Sequence, residues 1–125
     1  MIFNLSIHHG PRYPIVIGTG PGSLADLCAA CNFAAEAGLR TGRNYLVVDF
    51  LAVDISLSDV ERKTLGQHSA QQFVHLSKVA LVMQPEFWNG VAEATAREAG
   101  LDIRIFHTLE TATTWLNADP GATSR

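Results

Sequence analysis

The 125-residue chain has no apolar run approaching the roughly 18 residues that a membrane-spanning helix needs. Charge is scarce at 17% of residues, and nine Lys and Arg face 12 Asp and Glu, for a formal net charge of −3. No basic surplus is left to neutralise phosphates, which argues against a nucleic-acid or anionic-membrane surface. The opening MIFNLSIHHG lacks a basic stretch leading into an apolar one, so no secretory signal is expected. The two cysteines are accordingly expected as thiols in a reducing cytoplasm. Repeats and low-complexity tracts are missing as well. Apolar residues, at 47%, are plentiful enough for a single packed core. One domain is expected over residues 1–117. Residues 118–125 are expected as a flexible tail, since NADPGATSR from Asn117 onward carries stop signals and no apolar anchor.

Two periodicities alternate along the body. IFNLSIH (Ile2 to His8) alternates apolar and polar, as a half-covered strand does, and YPIVIG (Tyr13 to Gly18) follows after a turn at HGPR. Ser23 opens SLAD, a capping-box pattern for a helix that Gly38 or Gly42 ends. NYLVVDFLAV (Asn44 to Val53) is a nearly continuous apolar run, the mark of a strand covered on both faces. Ser58 opens a second box, SDVE, for a helix reaching about Leu76, with Gly66, Ala70 and Phe73 as a close-packed row. VALVM (Val79 to Met83) is a buried-type strand. Pro85 suits the start of a helix stopped by Gly100, IRIF (Ile103 to Phe106) is a short strand, and Thr108 begins a last helix. The order β β α β α β α β α calls for an α/β fold with a mainly parallel sheet.

From Asn44 onward the chain resembles the SpoIIAA-like, or STAS-like, superfamily of small bacterial domains, which includes anti-sigma-factor antagonists. YLVVDFLAVD, SLSDVERKTLG, KVALVM and above all GVAEATAREAGLDIRIFHTLETATTWL carry the resemblance. It implies a mixed, mostly parallel sheet of four to five strands with about four helices, packed mostly on one side. In the antagonists, a Ser or Thr at the start of the second helix is phosphorylated by a partner kinase. The matching position is Ser58, after the strand that contains Asp49. A helix N-terminus tolerates a phosphate, and a charge of roughly −2 would remake the surface there. The antagonist pattern, however, places Asp before the acceptor and Ser or Thr and then Gly after it, whereas here Leu57 precedes Ser58 and Asp59 and Val60 follow. Ser58 therefore reads as a plain helix cap rather than an intact switch.

Other signals are weaker. GTGPGS (Gly18 to Ser23) lacks the third glycine of a dinucleotide fingerprint and reads as a flexible strand-to-helix connection. Cys28 and Cys31 lie past the first helical turn, without a second pair, and read as small core residues facing the sheet. His68 and His75 are too far apart for a shared ion, and no metal site or cofactor is expected. Phe87 and Trp88 follow the strand VALVM, at the end of the sheet where ligands collect, and two adjacent aromatics cannot both face inward. The expectation is a non-catalytic cytoplasmic binding or regulatory domain, with a regulatory kinase or anti-sigma-like protein as partner. The alternative is a carrier or sensor of a small apolar ligand near Phe87 and Trp88. A homodimer through the N-terminal hairpin edge is a further expectation.

Overall fold

The apolar run near the middle of the chain becomes the central strand of a five-stranded sheet. The computed structural model describes residues 2–118. In chain order the elements are β1 (Asn4–His9), β2 (Pro14–Gly22), α1 (Leu24–Thr41), β3 (Tyr45–Ile55), α2 (Asp59–Gln72), β4 (Lys78–Val82), a 3-10 turn (Pro85–Phe87), α3 (Val91–Glu98), β5 (Ile103–Phe106) and α4 (Leu109–Asn117). The strands lie side by side in sequence order, with β1 antiparallel to β2 and every other pair parallel. Right-handed crossovers that always step in the same direction leave their helices on one side of a sheet. α1, α2 and α3 obey this and enclose the larger core, which includes Leu27, Leu46, Phe73, Val79 and Ile103. α4 has no further strand to reach and folds back over the other face, burying Ala112 and Leu116 against Tyr45, Val47 and Val82. The Trp115 ring anchors that helix between Lys78, whose Nζ lies 4.6 Å from the ring centre, and the Arg104 guanidinium at 5.1 Å.

β3 is buried from both sides over its first half, which explains its nearly continuous apolar sequence there. Leu46, Val48 and Phe50 face the three helices, while Tyr45 and Val47 face α4. Ile17 pairs with Asp49 but Thr19 pairs with Ala52, so β3 carries one residue more than β2 at this point. Such a bulge resets the alternation, and Val53 and Ile55 join Phe50 on the three-helix side. Asp49 Oδ1 accepts the Leu51 N–H inside the bulge at 3.1 Å. The Gly-rich GTGPG stretch differs from the flexible connection expected. It continues β2 to Gly22 and pairs with Ala52 to Ile55, so its peptide groups belong to the sheet ladder rather than to an open phosphate loop.

Both capping boxes form as the sequence indicates, with Ser23 and Asp26 at α1 and Ser58 and Glu61 at α2, and Gly42 closes α1 with a φ of 65°. α2 stops at Gln72, short of the expected Leu76, with Phe73 as its cap. The single helix expected from Pro85 to Gly100 is two elements. The 3-10 turn ends at Trp88, whose backbone is extended (φ −97°, ψ 132°), and Gly90 turns left-handed (φ 85°) before α3 starts. Asn89 Oδ1 accepts the Val91 N–H at 3.1 Å, so Asn-Gly acts as a turn inside an otherwise helical pattern. Cys31 packs against the main core, whereas Cys28 is half-exposed. Among the described residues, no helix is long and apolar enough to cross a membrane. Of the tail expected at 118–125, all but Ala118 lies outside the described residues. Ala118 itself donates to Thr114 O and ends α4.

Gly66 sets the distance between α2 and α3. A Cβ there would stand 2.5 Å from the Ala92 carbonyl oxygen and 2.8 Å from Thr95 Cβ. Gly→Ala inside a helix ordinarily stabilises by about 1 kcal/mol. Here the backbone clash reverses the sign, and Gly66→Ala is expected to destabilise by about 1–3 kcal/mol, read from the urea midpoint.

Candidate functional site

Neighbouring parallel strands deliver their following loops to the same edge of a sheet. β3 ends at Ile55 and feeds the start of α2, and β4 ends at Val82 and feeds the 3-10 turn. The two regions singled out by sequence, Ser58 and Phe87–Trp88, are therefore adjacent. Hydrogen bonds join them. Asn89 Nδ2 donates to Asp59 Oδ1 at 3.1 Å. Arg62, one turn into α2, donates from Nη1 to Phe87 O at 2.8 Å and from Nε to Leu57 O at 3.3 Å. Gln84 Nε2 donates to Leu51 O at 2.7 Å, tying the loop after β4 to the bulge in β3. These side chains were not singled out by sequence; only the Asn-Gly turn beside Trp88 offered a signal, because partners 25 to 33 residues apart leave no periodicity.

Ser58 is exposed, and its hydroxyl accepts the Glu61 N–H at 3.2 Å while Glu61 Oε1 accepts the Ser58 N–H at 2.9 Å. Both bonds satisfy donors that a helix N-terminus leaves free. Phe87 turns inward against the core, and Trp88 stays 45% exposed. Trp88 Nε1 donates to Glu93 Oε1 at 3.2 Å, and its ring meets His107 edge-on at 6.3 Å. Val60, 74% exposed, adds a second apolar group on the first turn of α2. Asp49 is not part of this surface. Alternation along β3 places it on the α4 side, where its carboxylate serves the bulge.

Beneath Trp88, between α2, α3 and the sheet, lies an apolar hollow of about 60 Å³ bordered by Leu57, Arg62, Met83 and Glu93 among others. Deeper in, Cys31 Sγ lies 3.3 Å from Ser69 Oγ, which donates to Leu65 O at 2.8 Å. Burial pushes the Cys31 thiol up to about 11, and burial also raises Cys28. A thiolate is the reactive form of cysteine, so neither is poised for redox chemistry. Among the described residues, no group of three His, Cys, Asp or Glu side chains is placed to hold a metal. His68 Nε2 pairs instead with Asn32 Oδ1 at 2.8 Å.

No family model matches the chain, and no curated protein matches it by sequence. Its architecture does match solved structures. An anti-sigma factor antagonist from Mycobacterium paratuberculosis superposes with a TM-score of 0.64 at 16% identity, over 91% of this chain and 93% of that one. An uncharacterised protein with a SpoIIAA-like fold from Shewanella loihica gives a TM-score of 0.54 at 17% identity, over 90% of this chain and 92% of that one. The fold is that of the SpoIIAA-like, STAS-like domains.

Two outcomes follow from the site's geometry. Ser58→Ala removes the acceptor for Glu61 N–H and is expected to cost about 1 kcal/mol, whereas Ser58→Asp, an equally good cap, leaves stability within a few tenths; chemical denaturation reads both. Cys31 ionises near 11 when folded against an ordinary 9.0. The native state thus keeps a proton that the unfolded chain releases, and this contribution to stability, complete below pH 9, falls as pH rises toward 11. Replacing Cys31 with Ala should flatten that alkaline decline, measured by urea titration between those limits.

Proposed function

We propose that the chain is a non-catalytic regulatory domain that binds a protein partner through the start of α2 and the loop after β4. The observation that carries this reading is the exposed Trp88 on a loop fixed to α2 by the Arg62 and Asn89 hydrogen bonds, with exposed Val60 on the first turn of the same helix. An apolar group held in place loses little entropy on binding and contributes most where it is desolvated at the centre of a contact. The antagonist from Mycobacterium paratuberculosis supports a regulatory partner of the kinase or anti-sigma type.

In this reading Ser58 is a cap and does not act as a phosphorylation switch. Asp59 is its immediate neighbour, and the Glu61 carboxylate bonds back to the Ser58 N–H at 2.9 Å. A phosphate of roughly −2 charge would meet both carboxylates within one helical turn, which offsets the attraction of the helix dipole. A cytoplasmic setting and a homodimer through the outer edge of β1 belong to the same proposal; β1 pairs on one side only within the sheet.

The test is affinity capture from the source cell with wild type, Ser58→Asp and the double variant Val60→Ser/Trp88→Ala. The same partner is expected with wild type and Ser58→Asp, and its recovery should drop at least tenfold with the double variant. A partner set that changes with Ser58→Asp would restore the switch. Undiminished recovery with the double variant would remove this surface from the interface.

A further inference from the structure

The hollow beneath Trp88 is not isolated. A second hollow of about 40 Å³ adjoins it toward α1, and the two share Leu27, Phe50, Leu65, Ser69, Leu81 and Ile103 as walls. We propose that this two-lobed space is a binding site for a small, neutral, apolar molecule, no larger than a benzene ring, that enters beside Trp88. The inference rests on the cavity alone and is independent of the partner reading.

The first argument is the lining. A buried water needs two to four polar partners. The shared walls offer one polar side chain, Ser69, whose hydroxyl already donates to Leu65 O and meets the Cys31 thiol. Water is therefore poorly held along the shared walls, where an apolar occupant regains dispersion contacts; the further polar side chains Arg62, Asn89 and Glu93 line only the outer lobe. Size is the second argument. The roughly 150 Å³ engineered cavity that takes up benzene is dry and apolar. The two lobes, at about 60 and 40 Å³, are somewhat smaller, which limits the occupant to a ring or a short hydrocarbon.

Access and charge complete the case. The larger lobe is bordered by Trp88, Asn89 and Gly90, the short non-helical segment between the 3-10 turn and α3. A hydrogen bond from Trp88 Nε1 to Glu93 Oε1 at 3.2 Å and an edge-on contact with His107 hold the indole over this side, so a swing of this side chain would open it. The charged residues lining the lobe are Arg62 and Glu93, one of each sign. Arg62 donates to backbone carbonyls at 2.8 and 3.3 Å, and Glu93 accepts from Trp88. Neither sign of ligand charge is favoured, which selects a neutral molecule.

The experiment follows methyl resonances of the full chain as benzene is added, with hexanoate as a charged comparison. Benzene is expected to shift the methyls of Leu65, Leu81 and Ile103 saturably and to raise the melting temperature. Leu65→Phe and Ala96→Val, which fill the space from different walls, should each weaken that response at least tenfold. Whichever filler keeps a folded spectrum decides this arm. No saturable shift in wild type, shifts on Leu109 and Leu116 under α4 instead, or an unchanged response in a folded filler would overturn the proposal. Hexanoate binding more tightly than benzene, with the advantage lost in Arg62→Ala, would overturn its neutral class.

Discussion

A strand covered by helices on both faces has no side on which to place polar groups, and β3 lies under that constraint over its first half. Its neighbours on each side are parallel strands, so the surrounding chain must cross over with helices. The eleven residues of β3 are long enough for one extra residue to be inserted against β2 without ending the ladder. That insertion lets Phe50, Val53 and Ile55 all face α1 to α3, although strict alternation would have sent the last two toward α4. Asp49 belongs to this device. Its carboxylate occupies the Leu51 N–H at the irregular point, and removing it would leave a half-buried donor without its partner.

The bulge also reaches the functional edge. Leu51 supplies the carbonyl that Gln84 holds, so the loop after β4 is referenced to the middle of the sheet rather than only to its own strand. Arg62 performs the same service from the helical side by joining Leu57 O and Phe87 O. The result is an edge at which Trp88, and Val60 on the first turn of α2, are displayed from backbone that is hydrogen-bonded in several directions. Preorganisation of this kind suits recognition, because little further ordering is needed on contact.

Local chemistry was legible in the sequence, and long-range chemistry was not. SLAD, SDVE and Thr108 marked helix starts because a cap needs only its own four residues, and each forms. NYLVVDFLAV identified the central strand since burial on both faces leaves a composition signature. The glycines of GTGPG concealed a strand, because small residues that let Phe50 and Leu27 approach the backbone resemble those of a loop. The helix split at Gly90 was hidden in a favourable helical pattern, since Asn89 acts through its own turn and through Asp59 thirty residues away. Ser58 and Trp88 were each visible alone. Their adjacency arises from the parallel register of β3 and β4, which no local window contains. The cavity is still less legible, being defined by what short side chains on three helices fail to fill.

The cavity and the displayed surface are two sides of one packing compromise. Gly66 lets α2 lie so close to α3 that even a methyl group would strike the Ala92 carbonyl. Gly66 meets α3 at Ala92 and Thr95, and the short side chains of Ala92 and Ala96 on α3 line the hollow below. Close approach above therefore produces empty space below. A longer side chain at Gly66 would force the helices apart, which would shift Asp59 and Arg62 on α2 relative to Asn89 and Phe87 in the loop before α3. The same small residues thus maintain the hollow and the alignment of the surface, and a molecule entering the hollow would act on the helices that carry that surface.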